Sequence, residues 1–440
     1  MRSWLLGLML AVGCGKQLNP DYCEAHGSDP DCTSNGFIAI DAAPPCSMDM
    51  DCPDMDHHVC DTMIHACVQC TAADHLACTG MTTVCSTGDV CVGCTKDGDC
   101  GAGVCLVASN TCADSSTLLY ASPAGATTGP CSEAAPCTLP YAVSIADATH
   151  HVIELIGNQF TLNAKLELNV EGLHLVPSQG SKPVITTPSG TVLHVTKSVE
   201  IDSMEIAGTN DDIIVCDGSA GRANLVLEQV IVHGSTRDSI NSSKCNVTIE
   251  RSRIYSNKET ALWIDDAVIN LRNSFIFSNG ANNYQYAAVV LKGDTTGKLL
   301  FNTISYNISY DQMIGIGPHK QEYIAASALD CIQNGNNTVA VIGNLFIEDD
   351  KLAVTNGQFG SSPCSGNYTT DNLLGKAGDA NFVNAPTDLH LTEQTPTGTG
   401  KVRDDGNTNC ADDGQDIDGD ARPQNNACDY GADELTATVE

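Results

Sequence analysis

Chemistry needs ionisable or aromatic side chains at spacings that let them converge, and this 440-residue sequence offers only a few such groupings. Asp265 and Asp266 follow the apolar run Ala261-Leu-Trp-Ile264, and paired carboxylates are what general acid and base work on a glycosidic bond requires. A solvated turn at the end of a strand explains the same pair and is the favoured reading. Arg251, Arg253 and Arg272 recur at neighbouring positions of an internal repeat, with Glu250 aligned with Arg272. A row of cations could bind a uronate or a sulfate, and a Lys or Arg base is what a polysaccharide lyase uses. Alternating Arg and Glu is also how a solvated sheet face neutralises itself, and that plainer reading is preferred. Trp263 is the single strong sugar-stacking candidate beyond Trp4, with Tyr284 and Tyr286 placed to assist it; packing between repeat units is the alternative for the indole.

Metal chemistry has weaker support. Cys67-x2-Cys70 and Cys91-x2-Cys94 have zinc-site spacing, but a cysteine repeat explains them more simply, and an exported chain favours disulfides. His57, His58, His65 and His75 read as scattered surface histidines. Asp416-x-Asp-x-Asp420 suggests calcium, yet Ala421 and Ala427 stand where an EF-hand loop carries Gly and Glu. The expectation is therefore no cofactor, with calcium the one cation left open.

The elements that would position these groups are legible from composition and period. A formal charge of −33 argues against nucleic acid or anionic lipid headgroups as main partners. Of 23 cysteines, 15 precede residue 113, which indicates an oxidising compartment. Residues 1–13, with Arg2 ahead of an apolar run, read as a signal peptide too short to span a bilayer. Residues 14–45 read as a polar tether.

Within residues 46–112 cysteines fall into three groups of four that begin at Cys46, Cys70 and Cys94, a fixed step of 24 residues. Each unit is too small to hold a core without covalent help. A linker spans 113–118. From 119 to 435 a second repeat takes over, with equivalent starts at Val199, Leu225, Val247 and Ile269. The segment from Leu168 to Leu175 fits the same frame earlier, and Asn302 to Asn307 and Gly343 to Ile347 fit it later.

Aliphatics in these units alternate with polar residues over three to five positions, the signature of short strands with one buried face. Stacked units would place like strands in parallel and bury one continuous core. Gly208, Gly234, Ser256 and Ser278 occupy equivalent corners, followed by Asn257 and Asn279, whose amides could bond up a ladder. The fold class is mainly β: a right-handed parallel β-helix preceded by a small disulfide-rich repeat region. Spacing allows Cys131 to pair with Cys137, Cys216 with Cys245, Cys331 with Cys364 and Cys410 with Cys428.

Several segments resemble known families. Leu10-Ala-Val-Gly-Cys14 resembles the bacterial lipobox, which implies acylation at Cys14, a membrane contact through that anchor alone, and an outer-membrane or cell-surface location. Cys67-Val-x-Cys-Thr71 and Cys91-Val-x-Cys-Thr95 resemble Dickkopf-like repeats of bacterial surface proteins. Tyr120 to Gly125 and Pro136 to Ile145 resemble the opening of secreted pectin lyase-like β-helices, where a short amphipathic helix closes the end of the solenoid. Asp379 to Asn384, Asp388 to Leu391 and Asp416 to Glu434 resemble their choice-of-anchor-type closing segment, which also accounts for the acidic run at 416–420. Asp265-Asp266 is similar to one fragment of the polygalacturonase site, but no Asn-Thr-Asp, Gly-His-Gly or Arg-Ile-Lys accompanies it, and Gly315 to Lys320 is alike only superficially. These readings imply a surface lipoprotein presenting its β-helix for non-catalytic adhesion to a glycan or surface protein; a polysaccharide lyase or glycoside hydrolase on the same face is the second expectation.

Overall fold

The computed structural model describes residues 46–52, 58–71, 78, 84–86, 88–94, 97–100, 103–106, 110–208, 210–280, 288–307, 329–332, 338–342, 344–348, 373–376, 380–396, 401–403, 415–422 and 428–435. The main body is a parallel β-helix built from three sheets of nine, nine and seven strands. One coil shows the pattern: Cys245–Glu250 lies in sheet 1, Arg253–Tyr255 in sheet 2 and Leu262–Asp265 in sheet 3. The repeat seen in the sequence is the register itself, since Val199 pairs with Leu225, Leu225 with Val247 and Val247 with Ile269. One segment departs from the expected frame. Leu173, not Leu168, stands opposite Val199, because Leu166–Leu168 is already the sheet 3 strand of the preceding coil.

Alternation dictates which side chains face in. Val247, Ile249, Leu262 and Ile264 are fully buried, while Trp263 and Asp265 between and after them are only partly buried. The inward residues of all three sheets form one continuous core from Leu119 to Phe346, as stacked units that cannot each close a core must. Leu139–Ile145 is a helix, here α1, that begins beside Pro140 and buries Leu139, Ala142 and Val143 against the first coils, the end cap expected of it.

Corners are the difficult part of such a fold, because each turn leaves N–H groups pointing into the core. Left-handed residues make the corners: Ser203, Gln229, Arg251, Asn273 and Phe301 between sheets 1 and 2, and Gly234, Ser256, Ser278 and Tyr306 after sheet 2. Side-chain ladders then serve the buried N–H groups. Asn257 Nδ2 donates to Asn279 Oδ1 at 2.8 Å and Asn279 Nδ2 to Asn307 Oδ1 at 3.0 Å, all three buried. A second ladder runs at the other corner: Ser252 N donates to Ser274 Oγ, Ser274 N to Asn302 Oδ1 and Asn302 N to Asn344 Oδ1, at 3.1, 3.1 and 2.9 Å.

The chain forms two compact units that divide between Val92 and Gly93. In the first, Cys46 pairs with Cys60, Cys52 with Cys67, Cys70 with Cys85 and Cys78 with Cys91; in the second, Cys94 pairs with Cys105 and Cys100 with Cys112. Each group of four is thus joined first to third and second to fourth. Cys67, Cys70, Cys91 and Cys94 have no thiolate left for zinc. The third group packs Val104 and Ala113 with Leu118, Tyr120, Val152 and Val176 at the start of the helix. Cys131–Cys137 and Cys216–Cys245 pair as spacing allowed. Cys428 is disulfide-bonded, and Cys364 and Cys410 lie outside the described residues. Among the described residues no helix is long and apolar enough to cross a membrane.

The closing segment lies along the outer face of sheet 2. Its hairpin of Phe382–Asn384 and Asp388–Leu391, with Ile417 and Ala432, packs on Phe275 and Phe277. Ala432 N donates to Thr303 Oγ1 at 3.1 Å, and Asn273 Nδ2 to the Gln415 carbonyl at 2.7 Å. Replacing Asn279 by Ala should lower stability by about 3 kcal/mol, since it strands buried groups both above and below. Urea unfolding of the variant checks this, and an unchanged midpoint would contradict the role given to the ladder.

Candidate functional site

Sheet 3 turns outward the residues that could meet a ligand. Trp263 stands in register between Asn241 and Val290, and Asp265 between Ser243 and Lys292. Lys292 Nζ bonds Asp265 Oδ2 at 3.0 Å and sits 5.9 Å from the centroid of the Trp263 ring, a cation over a π face. On the other side Asn241 Nδ2 donates to Asp212 Oδ2 at 3.1 Å. Arg237 Nη1 bonds Asp211 Oδ1 at 3.1 Å, and its Nε lies 3.8 Å from Asp212 Oδ1. The result is a polar and aromatic strip from Arg237 through Asn241 and Trp263 to Lys292.

Burial decides the electrostatics of this strip. Asp212 is buried, and that burial raises its carboxyl above the ordinary range although Arg237 and Asn241 oppose it. Glu259 is likewise raised, chiefly by burial. Arg237 is driven still higher, chiefly by Asp212, so it stays charged. The strip can offer a flat ring and fixed hydrogen-bonding groups to a sugar. Its cations are already engaged by carboxylates of the chain.

The carboxylate pair divides its work. Asp265 holds Lys292, whereas Asp266 sits in the left-handed turn and accepts from Asp294 N at 2.9 Å, so the two do not converge on one substrate atom. Arg251 is mostly buried; its Nε donates to Glu228 at 2.6 Å and its Nη1 to Gln415 at 2.8 Å, which ties the closing segment to the helix. Arg272 pairs with Glu250 at 3.3 Å, in the alignment read from sequence. Arg253 lies over Phe275 and beside His390 at 3.3 Å. The three arginines brace coils and closing segment rather than meet at one site. Cys14, His57, His75, Tyr284, Tyr286 and Gly315 to Lys320 lie outside the described residues.

The acidic run at 416–420 is built for a turn. Asp416 Oδ1 accepts from the backbone N–H of Asp418 and Asp420 at 2.9 and 2.8 Å, and Oδ2 from that of Glu434 at 3.0 Å. Those bonds fill the carboxylate that a calcium loop would need.

Nearby, donor atoms of His390, Asp418 and Asp433 lie within 4.8 Å of one another. His390 Nδ1 bonds Asp388, its Nε2 bonds Asp418 at 3.1 Å, and Arg253 adds a second positive charge, so side chains already supply the cations a metal would bring. The Asp418 hydrogen bond holds His390 protonated to about 9 despite its burial. Burial pushes Asp433 up to about 6.

Sequence reading missed Asp212, Arg237, Asn241 and Lys292. Register along sheet 3 could have found Asn241 and Lys292, although the insertion at 281–287 hides the step from Asp265 to Lys292, whereas Asp212 and Arg237 lie in the turns before its strands.

The chain matches no protein-family profile and no curated protein. Among solved structures it is similar to the crystal structure of pectate lyase Pel9A at 14% identity, over 72% of this chain and 96% of that one, with a TM-score of 0.41.

The His390 cluster sets a pH dependence. His390 titrates at about 9 when folded against 6.5 ordinarily, so its contribution is complete below pH 6.5 and lost as pH rises through 9. Asp433, raised to about 6, loses its contribution in the same sense between pH 4 and 6. Unfolding followed from pH 6 to 10 should show a loss of roughly 3 kcal/mol that His390→Gln largely abolishes. An identical profile for the variant would remove His390 from this role.

Proposed function

We propose that the chain is a surface-displayed lipoprotein, acylated at Cys14, whose β-helix binds a polysaccharide without transforming it. The observation that carries the binding reading is the outward, partly buried Trp263 with Lys292 over its ring and Asn241 beside it. Sugar rings present C–H faces to an aromatic platform and hydroxyls to fixed polar groups, and such a strip supplies both. Catalysis asks for more: a base or acid that substrate, not the protein, completes. Here Lys292 is held by Asp265 and Arg237 by Asp211, which favours binding over turnover.

Membrane attachment through acyl chains, an outer-membrane or cell-surface position, and glycan rather than nucleic acid as partner complete the proposal. The lipobox-like sequence, the cysteine repeats and the charge of −33 support them.

An enzymatic reading has one observation in its favour, the buried Asp212 beside Arg237, and one experiment separates the two. The purified chain is offered acidic and neutral polysaccharides, and binding and release of reducing or unsaturated ends are read together. Binding without product, weakened roughly tenfold or more by Trp263→Ala, is expected. Products that vanish in Asp212→Asn, or binding indifferent to Trp263→Ala, would overturn the proposal.

A further inference from the structure

We infer that the strip on sheet 3 selects uncharged polysaccharides and turns uronates and sulfates away, with Asp211 and Asp265 as the residues that set this selectivity. The inference rests on the proposed binding at Trp263 and names the class of ligand which that binding would take. Two rows of outward side chains run along sheet 3. Val215, Asn241, Trp263 and Val290 share one register position, and Asp217, Ser243, Asp265 and Lys292 share the next outward one, two residues further along each strand. Arg237 lies in the turn that leads into the strand Ile240–Ser243 and so flanks the indole row on its other side.

Both cations of the strip are matched from within the chain. Lys292 Nζ meets Asp265 Oδ2 at 3.0 Å. Arg237 meets Asp211 at 3.1 Å and Asp212 at 3.8 Å, and Glu259 adds to the field that sustains its charge. A carboxylate or sulfate on a ligand could reach either cation only by displacing a carboxylate of the chain. That is an exchange of one ion pair for another, and it leaves the displaced anion beside the arriving one; like charges so placed are what turns a wrong ligand away.

The acid row adds to this. Asp217 stands two coils before Asp265, and Ser219 N donates to it at 2.8 Å. The bonds from Ser219, with smaller contributions from His194 and Lys244, hold its carboxyl below the ordinary range, so it stays ionised. A chain charge of −33 repels polyanions at longer range. Sugar hydroxyls need no exchange of this kind. An ammonium carries three donors and the bond to Asp265 uses one of those on Lys292, Ser243 presents an exposed hydroxyl, and the indole takes a C–H face.

The test uses pairs of ligands that differ in charge alone: hexasaccharides of galacturonate, glucuronate and mannuronate, and the same chains with every carboxyl reduced to an alcohol. Each is titrated calorimetrically into the full chain at low salt. The neutral member of at least one pair should bind roughly tenfold or more tightly than its acidic counterpart. The gap should narrow in about 0.5 M sodium chloride, because partly exposed charges are screened. Asp265→Asn and Asp211→Asn keep an oxygen for the hydrogen bond and remove the charge; in each, uronate binding should strengthen roughly threefold or more. The two substitutions sit on opposite flanks, so that one variant still tests the inference if the other fails to fold. Acidic members that bind the parent chain as tightly as neutral ones, or uronate binding unchanged in the folded variants, would overturn the selectivity, while neutral binding that falls in Trp263→Ala would leave the binding reading standing. No binding by any member, or neutral binding indifferent to Trp263→Ala, would overturn the binding reading and this inference with it.

Discussion

The β-helix depends on how a parallel coil turns its corners without stranding backbone N–H groups in the core. Strands satisfy one another directly, and left-handed corner residues such as Arg251 and Asn273 still donate to carbonyls of the next coil, but the N–H of the residue after each corner relies on a side chain. The ladders of Asn257, Asn279 and Asn307, and of Ser252, Ser274, Asn302 and Asn344, place an acceptor from one coil under the N–H of the coil before it. They hold successive coils at the spacing of paired strands, roughly 4.8 Å, and thereby fix which side chains meet on the outside. Gly297 shows how tight the stack is: a Cβ there would lie 1.8 Å from the Ile269 carbonyl oxygen.

Once register is fixed, three outer faces acquire different characters. Sheet 2 is consumed by the closing segment, whose Leu389, Ile417 and Ala432 cover Phe275 and Phe277 and whose His390 stands edge-on to Phe275. Sheet 1 collects carboxylates at one register position, from Asp202 through Glu228 to Glu250, before Arg272 ends the row. Sheet 3 keeps the aromatic and amide strip. The same ladder principle thus makes a structural face, an acidic face and a face that carries an indole beside an amide and a lysine.

Much of the fold was legible because its period is short and its code is local. Val199, Leu225, Val247 and Ile269 could be aligned by eye, and Asn257 and Asn279 announced their ladder. The second ladder was not, since Ser252, Ser274 and Asn302 mix two residue types that do the same job with different reach. Sites were harder still. Asp212 reads as one acid among 54 acidic residues, and only its burial beside Arg237 sets it apart. Arg251 pairs with Glu228 from the preceding coil and Gln415 from 164 residues away, a contact no period encodes. The acidic run at Asp416 left calcium open beside the closing-segment reading, because spacing cannot show that backbone N–H groups fill its carboxylate.

The central claim is that the ligand-facing surface is the outer side of sheet 3. Hydrogen exchange of the full chain with and without a bound oligosaccharide tests it most directly, because backbone protection reports the contacted strands without any substitution. The account predicts protection concentrated in Ile240–Ser243, Leu262–Asp265 and Val289–Lys292. Protection confined to the closing segment or to sheet 1, with those three strands unchanged, would contradict it.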